Sequence, residues 1–506
     1  MKINKNQIIF FSIALLFLTA FIFISKYIKA DKTPPHWDYA MHLNYTLTYY
    51  ENIKEFNLGK IFSTYVFYPP LNYLILALFF LIFGYSKLIL LIFNFSLLTL
   101  LSWVIYRFTI KLFDSSIALI SLCLLLLLII IYHPAWILIW ELMLDFPLMV
   151  IIFICYCVFH LSFKNKDFSF NKSVQLGLLC GSALLIKWSA IIYLVAPIAF
   201  YLFLAFRDGK IKKTWVFFLS FVFLAGGWYF SHLKPLLGDL KMYSITQGFI
   251  DQDPQGLKSI GFYLKNFYFT TEPLIFIIPL SLLLALSEII KKKEFFKKNW
   301  ETFFDWSFLG FPFLFFTLLT PNKDPRYLYP FYILSIMICF WRIPKYFDLK
   351  KIWWAFPLIL IIMIVVFPHS LPQAKNDSLI NELTRILLKD GPRDVAYFFE
   401  SDSSSFNYAN VMLLHHQLRL KGKNYPDNFY LNQMNTLDEQ VIHGCHHTYL
   451  PEAIFIFKED KFITPDYKWQ ASFEEDCPLE FRSQYKIKEE IDLYGDKLIY
   501  LSKKAD

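Results

Sequence analysis

Charge is scarce in this sequence. Asp, Glu, Lys and Arg make up 18% of its 506 residues, where soluble proteins carry about a quarter. No single soluble core could bury so many long apolar runs, so a soluble globular protein is excluded and a polytopic membrane protein is predicted. No internal repeat and no low-complexity tract are evident. That counts against a lipid or solute transporter built from two related halves. No small-residue cleavage site follows the first apolar run, residues 8–28, so the run reads as a signal-anchor helix. Lys2 and Lys5 precede it and predict a cytoplasmic N-terminus.

Cysteine is sparse as well, with seven in the chain. Cys123, Cys155, Cys157, Cys180 and Cys339 fall in apolar runs and read as small hydrophobes. Cys445 and Cys477 are the only two in the polar tail, and they are a disulfide candidate in an oxidising compartment. The run HGCHH at 443–447 lacks a second ligand cluster at metal-site spacing, so no structural metal is assigned to it.

What the chain has in abundance is hydrophobic and aromatic side chains, 56% and 20% of its residues. The formal net charge is +8, but the lysines cluster in short loops between apolar runs. That pattern reads as membrane topology, with no nucleic-acid partner. After the first run, spans are predicted at about 88–106, 115–132, 146–160, 173–187, 188–206, 214–231, 272–290, 304–320, 327–342 and 353–368. The loops FKNKDFSFNK (163–172), RDGKIKK (207–213), KKKEFFKKN (291–299) and RIPKYFDLKK (342–351) are basic and are expected in the cytoplasm.

PPLNYLILALFFLIFG at 69–84 looks like one more span. A full crossing there would put every later basic loop on the wrong side. Its apolar core is also short against the roughly 20 residues a span needs. It is expected at the interface, with Pro69-Pro70 suited to a helix start. The result is about 11 transmembrane helices in residues 1–368, with a long first outer loop at 31–87. Residues 369–506 are expected as a small extracytoplasmic α/β domain. In it VAYFF (395–399), AIFIF (453–457) and DKLIYL (496–501) read as strands, and NVMLLHHQLRL (410–420) as a helix.

Ionisable groups at membrane depth are costly and tend to be functional. Here they gather on the expected outer side. Asp38 and His42 in WDYAMH are four apart and would share one face of a helix. Glu141 and Asp145 in ELMLDFPL are also four apart, at the start of a span, where acids suit a helix N-terminus. Lys187 interrupts an apolar run in LLIKWSA, and Arg326 opens a helix in DPRYLYP. A carboxylate can take a proton from an attacking hydroxyl. Lysine and arginine suit a phosphate. The acids Asp38, Glu141 and Asp145 are also of the hard-oxygen type that holds magnesium or manganese, although no spacing demands a metal.

Taken together, these motifs resemble the GT-C superfamily of glycosyltransferases that use polyprenyl-phosphate sugars. The likeness is to bacterial relatives of protein O-mannosyltransferases and of lipid A aminoarabinose transferases. WDYAMH (37–42) resembles the acidic motif of the first outer loop, and YPPLNYLI (68–75) the Pro-Pro-Leu juxtamembrane helix. ELMLDFPL (141–148) resembles the Asp motif opening a span, LLIKWSA (184–190) a Leu-x-Lys motif, and DPRYLYP (324–330) an Arg-Tyr-x-x-Pro motif. AGGWYF (225–230) is a weaker match to a Pro-Trp-Tyr pattern, with glycine in place of proline.

The resemblance covers residues 1–368 and implies an α-helical GT-C fold in a bacterial inner membrane. It also implies an inverting transfer from a polyprenyl-phosphate sugar to a lipid, glycan or protein acceptor. Asp38 would be the catalytic group; Lys187, Arg326 and Tyr327 would hold the donor phosphate; His42, Tyr68, Glu141 and Asp145 would position sugar or acceptor. Relatives often have Asp-Glu in the first motif, where here Tyr39 follows Asp38, and an aromatic where His42 stands. The rival readings are a polymerase or ligase of lipid-linked glycans and a lipid or solute transporter.

Overall fold

The structure, a computed structural model, describes residues 5–30, 37–131, 142–247, 257–271, 300–320, 324–342, 379–390, 392, 394–399, 408–420, 428–432, 453–459, 479–493 and 496–504. The expected spans at 272–290 and 353–368 lie outside the described residues, as do Glu141, Cys445 and Cys477. The chain divides into two units, Met1–Ser25 with Tyr49–Leu371, and Lys26–Thr48 with Pro372–Asp506. The divide cuts through the first two helices, α1 (Lys5–Ala30) and α2 (Trp37–Lys54).

The first unit is helical because its apolar runs are long and carry few breakers. Among the described residues, five helices are long and apolar enough to cross a membrane: Ile13–Ala30, Lys87–Leu112, Asp145–Lys164, Ala190–Arg207 and Thr214–Gly238. Each overlaps a predicted span, and the protein is an integral membrane protein. In chain order α2 is followed by α3 (Leu58–Ser63), α4 (Leu71–Phe83), α5 (Lys87–Leu112), α6 (Ser115–Ile131), α7 (Asp145–Lys164), α8 (Phe170–Ile186), α9 (Ala190–Arg207) and α10 (Ile211–Phe221). A π-turn, Val222–Gly226, joins α10 to α11 (Gly227–Gln247), and α12 (Leu257–Thr271), α13 (Trp300–Leu318) and α14 (Tyr329–Arg342) follow.

Local chemistry sets several boundaries. Ser86 Oγ accepts from the Ile89 amide at 3.2 Å and starts α5. Asp114 Oδ1 accepts from the amides of Ser116 and Ile117 at 2.8 and 3.1 Å and starts α6. The expected interface segment is the 13-residue α4, which ends at Gly84 with φ of 81°. No side chain but hydrogen adopts that backbone without strain.

Helices α8 and α10 pack backbone to backbone. A Cβ on Gly177 would stand 2.3 Å from the Phe217 carbonyl oxygen, and one on Gly181 would stand 3.3 Å from that of Phe221. Small residues four apart permit such close helix contact in membranes. Inside the bundle, Tyr156 stacks on Phe304 at 5.4 Å and on Trp341 at 6.0 Å, and its hydroxyl donates to Asp305 at 2.8 Å. The five cysteines expected in apolar runs are buried, as small hydrophobes should be.

The second unit contains a five-stranded sheet: β1 (Asp394–Phe399), β2 (Asn428–Asn432), β3 (Ala453–Glu459), β4 (Tyr485–Leu493) and β5 (Asp496–Lys503), in the order β2-β1-β3-β5-β4. Strand β1 runs parallel to β2 and β3, while β5 runs antiparallel to β3 and β4. Helices α15 (Leu379–Asp390) and α16 (Tyr408–Leu420) belong to the same core. Leu383, Ile386 and Leu387 recur at helical spacing and are buried, which explains why α15 is amphipathic.

The strand register puts Tyr397 opposite Phe455 and Phe455 opposite Tyr500. Their rings stack in a ladder across three strands, with centroids 5.5 and 4.9 Å apart. Behind it the Tyr397 hydroxyl meets His415 Nε2 at 2.9 Å, both groups buried. Burial pushes the Tyr397 phenol well above its ordinary value. Burial, with His416 beside it, holds the His415 imidazole down at about 4. Three strands and a helix thus stand where the sequence reading put them, over 395–399, 453–457, 496–501 and 410–420.

Candidate active site

The site is built where α7 begins and α8 ends. Asp145 is the first residue of α7 and is buried, at 5% exposure. Lys187 closes α8 in an extended conformation, its amide bonded to Ala183 O at 3.2 Å. Its own carbonyl accepts from the Ala190 amide at 3.0 Å, bridging the break before α9. The break turns the lysine inward, where Nζ meets Asp145 Oδ1 at 2.7 Å. Both side chains are shielded, at 7% and 6% exposure. A pair so buried is held by direct charge attraction and has lost most of its hydration.

Two tyrosines flank the ammonium. The rings of Tyr68 and Tyr327 each lie 5.7 Å from Lys187 Nζ, within cation–π range. Tyr68 comes from the irregular segment before Pro69-Pro70, and Tyr327 from a 3-10 turn, Pro325–Leu328, that leads into α14. That turn is set by Asp324. One carboxylate oxygen accepts from the Arg326 amide at 2.9 Å, and the other accepts from Arg326 Nε at 2.7 Å and lies 2.5 Å from a terminal guanidinium nitrogen. The Tyr193 hydroxyl donates to the Tyr327 carbonyl, and Tyr327 stacks on Phe316 at 5.4 Å. The loop carrying both Arg326 and Tyr327 is therefore pinned at its turn and at its ring. Arg326 keeps a third of its side chain exposed.

The structure thus brings Asp145, Lys187, Tyr68 and Tyr327 together, with Arg326 next in the chain. Asp145 and Lys187, read from the sequence as serving separate purposes, are paired, and Arg326 pairs with Asp324, an acid the sequence reading did not single out. Asp38 and His42 belong to the other unit, on the first two turns of α2, with Asp38 half-buried and His42 buried. Among the described residues, no three His, Cys, Asp or Glu side chains stand together as a metal site would require. A divalent ion at Asp145 would have to displace the Lys187 ammonium, so this carboxylate does not fit a metal as it is arranged.

Several neighbours were not legible in the motifs. Tyr193, which ties the arginine turn to α9, gives no signal in an apolar run. Tyr65 and His232 stack at 5.6 Å, and Trp228 lies against His232 at 5.1 Å. The weak AGGWYF motif is the one sequence feature that pointed there. Its Tyr229 hydroxyl donates to the Leu184 carbonyl at 2.9 Å, three residues before Lys187.

Residues 68–228 match the family model described as dolichyl-phosphate-mannose-protein mannosyltransferase. No curated protein matches the sequence. The crystal structure of ArnT from Cupriavidus metallidurans bound to undecaprenyl phosphate is similar over 97% of this chain and 97% of that one, with 11% identity and a TM-score of 0.55. The apo-state structure of ArnT from the same organism is similar over 75% of this chain and 68% of that one, with 14% identity and a TM-score of 0.48. With its helical membrane unit, its small C-terminal sheet and this likeness, the chain has the fold of the GT-C membrane glycosyltransferases.

Proposed function

We propose that the protein moves a sugar from a polyprenyl-phosphate donor to an acceptor hydroxyl at the outer face of a bacterial inner membrane. The transfer inverts the anomeric carbon, and the C-terminal region lies on the periplasmic or extracellular side. One observation carries this reading. A buried Lys187–Asp145 pair stands at helix ends of a GT-C fold, flanked by Tyr68 and by Tyr327, whose chain neighbour is Arg326. Support comes from the relative of the same fold that holds undecaprenyl phosphate.

A lysine ammonium has three N–H donors. Asp145 takes one and holds the group in place, leaving two directed elsewhere for phosphate oxygens. Arg326 adds a planar donor array suited to a phosphate, and Tyr327 anchors the turn that carries it. As the bond from the anomeric carbon to the phosphate oxygen breaks, negative charge grows on that oxygen. Two fixed cations stabilise it most where the charge is greatest, which is the requirement for catalysis. The acceptor oxygen attacks the opposite face of the anomeric carbon. Its proton passes to the Asp38 carboxylate, and the products are the glycosylated acceptor and the polyprenyl phosphate. His42, Tyr68 and Glu141 position acceptor or sugar, and Asp145 does so through Lys187.

The test is transfer by the purified full chain in lipid nanodiscs, supplied with undecaprenyl-phosphate sugars. Asp38→Asn is expected to lower turnover about 100-fold or more while donor binding persists. Full transfer by that variant removes Asp38 from the mechanism.

A further inference from the structure

Beside the ion pair lies a group of aromatic and polar side chains that the transfer step leaves unused. The loop from Tyr65 to Tyr68 touches four neighbours in turn. Tyr65 stacks on His232 at 5.6 Å and on Trp228 at 6.5 Å. Phe67 meets Trp188 edge-on at 6.3 Å, and Tyr68 faces the Lys187 ammonium. Four consecutive residues span no more than about 11 Å of backbone, so one short loop carries both the ring that faces the cation and the aromatic strip.

The polar atoms of the strip are unusual. The indole nitrogens of Trp188 and Trp228 are buried and have no acceptor among the described residues. A buried N–H without a partner is costly, and two of them along one strip point to an acceptor that arrives with a ligand. His232 supplies the complementary group. Its Nδ1 lies 2.9 Å from the Trp228 carbonyl, which only accepts, and 2.9 Å from Ser231 Oγ, whose hydroxyl donates to the Gly227 carbonyl at 2.8 Å, so the arrangement favours the tautomer in which Nδ1 donates. In the neutral ring Nε2 is then left as an acceptor. A π-turn, Val222–Gly226, ends two positions before Trp228 and shifts the register of the helix that carries Trp228 and His232. Such turns concentrate at functional sites.

We propose that this strip is a subsite for a sugar ring. Tyr65, Trp228 and His232 form its aromatic wall, Trp188 and Trp228 donate N–H to ring hydroxyls, and His232 Nε2 accepts from one. A saccharide matches it because one molecule offers an apolar C–H face and several hydroxyl oxygens. The proposal rests on the phosphate reading of Lys187 and Arg326 above. The sugar is that of the donor or that of a saccharide acceptor, and the two sources separate by experiment.

The experiment compares the full chain in nanodiscs with Trp188→Phe, Trp228→Phe and His232→Phe, which keep a ring and remove the polar atom. The first arm measures binding of undecaprenyl phosphate against undecaprenyl-phosphate mannose and undecaprenyl-phosphate 4-amino-4-deoxyarabinose. The second measures binding of methyl glycosides to protein already saturated with bare undecaprenyl phosphate. Each variant is expected to bind the bare lipid as the parent does. Each should also lose about tenfold in affinity for the sugar-bearing lipid (donor source) or for the methyl glycoside (acceptor source). Unchanged affinity in both arms overturns the subsite, and so does loss of bare-lipid binding in all three variants. An Arg326→Ala control keeps the two ideas apart. If bare undecaprenyl phosphate binds equally well to that variant and to the parent, it is the phosphate reading that fails.

Discussion

The two units of the chain treat charge in opposite ways. The first buries an ion pair, Lys187 with Asp145, between two helix ends 42 residues apart in sequence. The second buries a neutral pair, Tyr397 with His415, and among its described residues the ion pairs keep solvent contact, as with Lys488 and Asp390 at 46% and 19% exposure. Removing two charges from water costs several kcal/mol per ion, and attraction repays that only where geometry is good. A core built for stability avoids such a pair. One retained at the break between two membrane helices fits a site that needs a fixed cation.

The largest effect is expected from breaking the buried pair on one side. Lys187→Met leaves Asp145 buried without a partner and should destabilise the detergent-solubilised chain by about 3–5 kcal/mol in denaturant unfolding. Adding Asp145→Leu should restore much of that stability without restoring transfer. If the double variant transfers sugar, the pair is structural.

The neutral pair responds to acid. His415 titrates at about 4 when folded and about 6.5 when unfolded. The unfolded chain therefore binds the proton first, and stability is complete above about pH 6.5 and falls as pH drops toward 4. The loss approaches roughly 3 kcal/mol, at 1.36 kcal/mol per unit. Hydrogen exchange over 394–399 and 453–459 in the full chain, corrected for intrinsic rates, reads it. His415→Gln should flatten the dependence, and an equal slope in that variant assigns the acid sensitivity to other groups.

Arg326 sharpens the contrast, because its pair with Asp324 is local and a third of the guanidinium side chain is exposed. Arg326→Ala should cost no more than about 1 kcal/mol in stability. Its affinity for undecaprenyl phosphate should fall at least about tenfold, since a charge-assisted phosphate contact is lost. The smallest effect is expected at the surface of the second unit. Lys488→Ala should change stability by about 0.5 kcal/mol or less, because solvent screens an exposed pair. A larger change would mean that the surface pairs there act as a network.

Much of the fold was legible because membrane helices announce themselves by length and apolarity, and the described spans lie on the predicted runs. In the second unit the strands over 395–399, 453–457 and 496–501 were legible, while those at Asn428–Asn432 and Tyr485–Leu493 were not. The two missed strands are the edges of the sheet. An edge strand has one neighbour and tolerates charge, and YKIKEEIDL alternates apolar and charged residues about a bulge between Ile487 and Glu489, unlike the unbroken apolar runs of the central strands. At the site, the motifs marked Lys187, Asp145, Arg326, Tyr68 and Tyr327 one by one. None of them signalled His232 or Tyr193, whose partners come from other segments.

By itself the sequence determined that the chain lives in a membrane and where its long apolar helices run, though not the helices at Trp37–Lys54, Leu58–Ser63 and Leu257–Thr271. It also determined which few charged residues interrupt them, since burying apolar length and exposing charge are demands that each segment meets alone. Which charges meet was decided only by the tertiary structure. Lys187 reaches Asp145 because α7 begins where α8 ends, and Tyr68 and Tyr327 flank it because two separate turns converge there. Contacts across such distances in sequence depend on how helices pack, and no single segment records that.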